Sequence, residues 1–150
     1  MYFSNYTDLE IGAKELWPFL VEIENIKQWN TLLLDFKPVS EGPLRKGFIG
    51  AFFIEEKISK TWYQTEILSW EENKSMSFAL SDGNLGKQAL SLEYHIQSLS
   101  KNSVRLKVKT SWKAVGIKWK LAEPILKQFT QRVIQNSLQQ LKQLISKLPK

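Results

Sequence analysis

The sequence has no cysteine and a single histidine, His95, among its 150 residues. Disulfide scaffolds, thiol nucleophiles and thiolate metal sites are therefore excluded, and one imidazole does not assemble a metal centre by itself. No cofactor is implied. Glycine is scarce at seven residues, and Gly83 and Gly86 fall between strands with no Lys-Ser/Thr pair behind them, so there is no phosphate-binding loop. No apolar run approaches the roughly 18 residues of a membrane-spanning helix. The N-terminus, Met1-Tyr-Phe-Ser-Asn-Tyr-Thr-Asp-Leu-Glu10, lacks the basic and apolar regions of a secretory signal, so the expected location is cytoplasmic.

Bulky side chains are plentiful: six Trp and eight Phe within an apolar share of 43%. Aromatics of this size either fill a core or line a hollow one. The length suits one domain spanning residues 1–150. Charge is unevenly distributed. Residues 1–100 carry nine Lys/Arg against fourteen Asp/Glu, a net of −5, whereas residues 101–150 carry twelve against one, a net of +11. A field of that sign draws an anionic membrane surface, an acidic partner or nucleic acid, unless it is only a solvated face. Nucleic-acid readers interleave exposed aromatics with such cations. Here the strand aromatics point away from them, which argues against nucleic acid.

Residues 2–11 alternate as a strand. From Ala13 the period changes, with Leu16, Leu20 and Ile23 spaced as a helix beside Trp17 and Val21. Pro18 calls for a late start or a kink, and Asn25 is placed to cap a second short helix reaching Trp29. Strands are predicted at 32–40, 47–56, 61–70 and 75–80, with turns at Gly42-Pro43, Glu71-Glu-Asn-Lys74 and Ser81-Asp-Gly-Asn84. The last two strands alternate cleanly. Leu90, Leu92, Tyr94 and Ile96 share one face, as do Val104, Leu106, Val108, Thr110, Trp112 and Ala114, leaving Arg105, Lys107, Lys109 and Lys113 on a wet face. Short connections make an antiparallel meander.

The last third, from Lys118 to Leu148, reads as one long amphipathic helix, which needs a sheet to bury its apolar side. Its apolar residues form two stripes. Leu121, Ala122, Ile125, Leu126, Phe129 and Val133 make the first, and Ile134, Leu138, Leu141, Ile145 and Leu148 the second. The shift at Val133-Ile134 predicts that the N-terminal half faces a cavity and the C-terminal half packs as core.

Few residues suggest chemistry. His95 sits opposite Leu92, Tyr94 and Ile96, beside Ser91 and Glu93, as a structural or surface residue. Glu66 shares its predicted strand face with Trp62, Gln64, Leu68 and Trp70. If that face is inward, burial raises its pKa and fits it for general acid or base work; if outward, it is an ordinary surface carboxylate. Tyr63, Tyr94 and Asp82 are weaker candidates.

The helix segment Ala13-Lys-Glu-Leu-Trp-Pro-Phe-Leu20, the Ile26-Lys-Gln-Trp-Asn30 ending and the hairpin Glu66-Ile-Leu-Ser-Trp-Glu-Glu-Asn-Lys-Ser-Met-Ser-Phe78 carry a family likeness. With the final strand and helix, the chain resembles the START-like, Bet v 1-like superfamily, in its polyketide cyclase/dehydrase and lipid-transport (SRPBCC) branch. The resemblance implies an α+β helix-grip fold: about seven antiparallel strands curved around the long C-terminal helix, with two short helices after the first strand. It also implies an apolar cavity opening near the short helices and loops, and a hydrophobic small molecule or lipid as ligand. By face and helix position, the expected lining is Phe48, Phe52, Phe78, Tyr94, Trp112, Leu121, Ile125 and Phe129. Three functions stay open: ligand binding without catalysis, a cyclase/dehydrase-like enzyme using Glu66, and a ligand-free interaction domain. Peripheral contact with an anionic membrane through the basic last third accompanies the first, and no oligomeric state is indicated.

Overall fold

The computed structural model describes residues 2–31, 33–55, 60–81, 90–112 and 117–149. In chain order these form β1 (Tyr2–Leu9), α1 (Ala13–Val21), α2 (Ile23–Trp29), β2 (Leu33–Pro38), β3 (Ile49–Glu55), β4 (Lys60–Glu71), β5 (Ser75–Ser81), β6 (Leu90–Ser100), β7 (Ser103–Trp112) and α3 (Ile117–Ser146). The seven strands make one antiparallel sheet in the order β1-β7-β6-β5-β4-β3-β2. It curves around α3, which is the helix-grip arrangement.

Register follows from side-chain alternation. On β7, Val104, Leu106, Val108 and Thr110 are buried while Lys109 and Ser111 face water. Antiparallel pairing with β6 sets Tyr94 opposite Val108 and Ile96 opposite Leu106, so the apolar rows coincide. Pairing of β1 with β7 sets Asp8 opposite Arg105 on the outer face. There the guanidinium donates to both carboxylate oxygens, at 2.8 and 3.1 Å. This hydrogen-bonded pairing with Arg105 holds the Asp8 carboxyl below its ordinary pKa.

The short helices depart from expectation in two details. First, α1 starts at Ala13 despite Pro18, with the Leu16 N–H donating to the Gly12 carbonyl at 2.9 Å. Second, α2 begins at Ile23, so Asn25 lies inside it and does not cap it. The Asn25 side chain instead donates to the Pro18 carbonyl at 3.2 Å, joining the Glu22 N–H at 3.0 Å on that same acceptor. The two helices are tied together again where the Trp29 indole N–H donates to the Phe19 carbonyl at 2.7 Å.

One strand carries a correction that matters for the site. In β4 the register shifts between Ile67 and Ser69, where Leu68 is an extra residue against β5. Before the bulge Tyr63, Thr65 and Ile67 point inward. After it the alternation is reversed, so Trp70 joins the inner face and packs edge-on against Trp17 at 5.1 Å, while Ser69 turns outward and meets Ser77 hydroxyl to hydroxyl at 2.6 Å. Trp70 therefore does not share the face of Glu66.

The core is concentrated at one end of the concave face. Leu16 and Leu20 of α1, Leu106 and Val104 of β7, and Leu141 of α3 are almost completely buried there. Ile134, Leu138 and Ile145 extend the α3 contribution. Among the described residues, no helix is long and apolar enough to cross a membrane.

Candidate functional site

At the other end of the concave face the interior is hollow. A cavity of about 970 Å³ lies between the sheet, α2, the β2–β3 loop and α3. Its sheet wall is a line of aromatic rings. Phe36 and Phe52 meet at 5.2 Å, Phe52 and Phe78 at 5.8 Å across β4, and Phe78 stacks on Tyr94 at 5.9 Å. Trp29 of α2 closes the line edge-on to Tyr94 at 6.5 Å. These rings pack against one another sideways, which braces the wall without filling the space before it.

Gly50 contributes to that wall by what it lacks. A Cβ at this position would stand only 2.5 Å from the Phe36 ring, so glycine lets the ring lie flat over β3. In the adjoining β2–β3 loop, the Arg45 guanidinium donates to the Glu41 and Pro43 carbonyls at 2.9 and 2.8 Å, folding Gly42, Pro43 and Leu44 against the cavity. Pro38, Gly42, Pro43, Ile125 and Phe129 both line the space and reach solvent, and so mark its mouth.

Of the expected lining residues, Phe48, Phe52, Phe78, Tyr94, Trp112, Ile125 and Phe129 stand around this cavity. Leu121 does not. It lies one turn before Ile125 on the same face of α3 and is 77% exposed, outside the residues that line the cavity. Other wall residues escaped the sequence reading: Leu20, Ile23 and Ile26 from the short helices, Trp70 through the bulge, and Thr65. The i, i+3 spacing of Ile23, Ile26 and Trp29 was a usable signal for α2. Nothing in the sequence marks the bulge.

The candidate catalytic groups do not converge. Glu66 lies on the exposed outer face of β4, in register with Ile49 and Ala79, because the inward face there is that of Thr65 and Ile67. Trp62, two positions further along the same outer face beyond Gln64, stacks on Phe53 at 4.9 Å with the Lys37 ammonium 4.7 Å above its ring. His95 is half-buried on the outer face of β6, between Ser75 and Lys107 in register. Asp82 lies outside the described residues. Among the described residues no cluster of three metal-ligating side chains occurs. Tyr63 and Tyr94 are the two described candidates on the cavity wall; Tyr63 is half-buried, and burial of Tyr94 pushes its phenol up to about 12.

The polar complement of the wall is small. Asn30 fixes the start of β2 by accepting the Leu33 N–H at 3.2 Å, and Ser137 meets Thr31 hydroxyl to hydroxyl at 3.5 Å. Thr65 is 4% exposed, and its Oγ1 has no hydrogen-bond partner.

Compared with protein-family models and with curated protein sequences, the chain matches none. Solved structures do match over nearly its full length. A protein from Thermus thermophilus superposes with a TM-score of 0.77 at 10% identity, covering 97% of each chain. The Zhui aromatase/cyclase from Streptomyces sp. R1128 gives 0.77 at 10% identity, over 97% of this chain and 93% of that one. A START superfamily protein from Mycobacterium smegmatis gives 0.77 at 15% identity, over 99% of both. At such identities the likeness is one of fold: this chain has the START-like helix-grip fold shared by aromatase/cyclase structures.

Proposed function

We propose that the protein binds a hydrophobic small molecule or lipid in the cavity on its concave face. The observation that carries this reading is the cavity itself: about 970 Å³, at the upper end of ligand-pocket sizes, with a wall that is almost wholly apolar. Removing an apolar ligand from water there is worth about 25 cal/mol per Å² of its surface. The known activities of some proteins with this fold, such as the aromatase/cyclase, supply a second reading, that of an enzyme. It is the weaker one. Glu66 is outside the cavity, and a phenol held near 12 is a poor general acid or base at neutral pH. A ligand-free interaction domain fits less well, since close-packed interiors leave few voids larger than a water molecule.

The test is native mass spectrometry of the purified protein, followed by uptake of the fluorescent hydrocarbon diphenylhexatriene. A co-purified adduct, or saturable uptake at one site, is the expected result. A protein that carries no adduct and takes up no hydrocarbon is not a ligand carrier.

Contact with an anionic membrane is the finer part of the proposal. Ile117, Leu121 and Ile125 recur every four residues on α3 and are 78%, 77% and 73% exposed, with the exposed Lys120 one turn after Ile117. An apolar ridge with an ammonium group at its side suits an interfacial helix. Co-sedimentation with phosphatidylserine vesicles, absent with phosphatidylcholine alone, is the expected outcome. Equal absence from both removes the membrane from the proposal.

A further inference from the structure

The cavity ends abruptly along two strands. Leu92 and Tyr94 of β6 and Val108 of β7 line it, whereas Ile96 and Leu106, the next inward-facing residues, belong to the solid core. Tyr94 therefore stands at the inner end, three strands away from β3 and the loop at the mouth. Its ring is held on two sides. Phe78 stacks on it at 5.9 Å and Trp29 meets it edge-on at 6.5 Å, and Trp29 is itself tied by its indole N–H to the Phe19 carbonyl at 2.7 Å. A phenol on so fixed a ring cannot swing away to find a partner.

The polar groups of the wall differ in what they leave open to a ligand. The Trp29 N–H, the Asn30 side-chain oxygen and the Ser137 hydroxyl are already paired. Tyr63 and Thr130 are only half-buried. Among the described residues the oxygens that are both unpaired and sealed off from contact are those of Asn5, Thr65 and Thr110, and no ligand atom reaches them. Tyr94 is different. It is 8% exposed, makes no hydrogen bond among the described residues, and is not one of the sealed oxygens. Its Oη thus keeps an open surface toward the cavity and has nothing to pair with there. Burial with no hydrogen bond raises its pKa to about 12, which agrees with this and keeps the group a donor at every physiological pH. An enclosed donor is costly until something accepts its hydrogen bond.

We propose that Tyr94 Oη is the polar anchor of the cavity, and that the ligand is a neutral molecule that enters oxygen end first and lodges a carbonyl or hydroxyl oxygen against this phenol. The proposal rests on the cavity-binding reading above and adds the ligand's class and direction. Neutrality follows from the rest of the wall. Its described residues include no Asp, Glu, Lys, Arg or His, so an ion brought to this depth would lose its hydration and meet no counter-charge.

The experiment measures displacement of diphenylhexatriene by hexadecan-2-one, hexadecane and ionised palmitate at neutral pH. The wild-type chain is compared with Tyr94→Phe, which keeps the ring and removes the oxygen. An infrared spectrum of the bound ketone accompanies it, because a carbonyl that accepts a hydrogen bond stretches at lower frequency. The wild type is expected to bind the ketone more tightly than the alkane or palmitate. Tyr94→Phe should weaken the ketone by roughly three- to tenfold, leave hexadecane bound as before, and return the carbonyl stretch to its frequency in hexane. A Tyr94 that only packs would move ketone and alkane together. That result, equal ketone binding by the two chains, or palmitate bound as tightly as the ketone overturns the proposal and leaves the cavity reading intact. A wild-type chain that takes up no diphenylhexatriene removes both. Should Tyr94→Phe fail to fold, the wild-type complex decides alone, and a carbonyl stretch at its hexane value overturns the proposal.

Discussion

The two ends of the concave face are built from one sheet and one helix, yet one is solid and the other hollow. At the solid end, α1, β6, β7 and the C-terminal half of α3 interdigitate aliphatic side chains, and Leu16, Leu106 and Leu141 lose all contact with water. At the hollow end the inward rings of Phe36, Phe52 and Phe78 on β2, β3 and β5 lean on one another among aliphatic neighbours, while α3 offers Ile125, Phe129 and Thr130 along an edge. The difference lies in the kind of side chain that faces the helix. Aliphatic chains of moderate reach close the gap between layers; rings packed flank to flank stiffen a wall and leave the gap open.

That contrast is testable by where damage falls. Leu141→Ala, at the solid end, should cost about 2 to 5 kcal/mol in urea unfolding. A loss well under 1 kcal/mol would mean the solid end is not close-packed. Tyr94 stands where the two ends meet, and its raised pKa makes a pH prediction. The phenol ionises near 10 when unfolded and near 12 when folded. Its contribution is thus fully present below pH 10 and lost as pH rises towards 12, by roughly 3 kcal/mol. Tyr94→Phe should flatten that fall, and an unchanged slope would place the phenol in water. Gly50→Ala pushes a methyl into the Phe36 ring, which has the cavity to swing into, and to 3.1 Å from the Lys37 backbone carbonyl oxygen. It should cost about 1 kcal/mol, at the low end of overpacking, while reducing uptake of bulky probes. A cost several times larger would mean that Phe36 has nowhere to go. Phe129→Ala, at the mouth and 44% exposed, should change stability least, by less than about 1 kcal/mol, and show itself in probe binding. If Phe129→Ala and Leu141→Ala proved interchangeable, the division of α3 would be wrong.

The parts of the fold legible in the sequence are those where a single periodicity decides burial. Val104, Leu106 and Val108 alternate with cations, so β7 announces both its strand and its wet side. The stripe Ile134, Leu138, Leu141 and Ile145 is buried as its period predicts, but Ile134 and Leu138 also line the cavity, so the division of α3 falls later than Val133-Ile134. Leu121 obeys the same periodicity and is nonetheless exposed, because period says which side of a helix is apolar and not how far the sheet beneath it extends. Thr65 was hidden for the opposite reason. A lone hydroxyl on an alternating strand looks the same whether its partner is water, backbone or nothing. Asn25 fits a cap by residue type, but the carbonyl of Pro18 captures its side chain once α1 and α2 fold against each other.

The extra residue at Leu68 has a consequence for how β4 can change. Up to Ile67 the odd-numbered positions point inward, and from Trp70 onward the even ones do, so the strand carries two parities joined at one place. Deleting a residue there would force a single parity on the whole strand. Either Trp70 would leave Trp17 and face water, or Tyr63, Thr65 and Ile67 would turn their backs on the cavity. Substitutions can tune this strand one side chain at a time, but a change in its length exchanges the lining of the pocket for its outer surface in a single step.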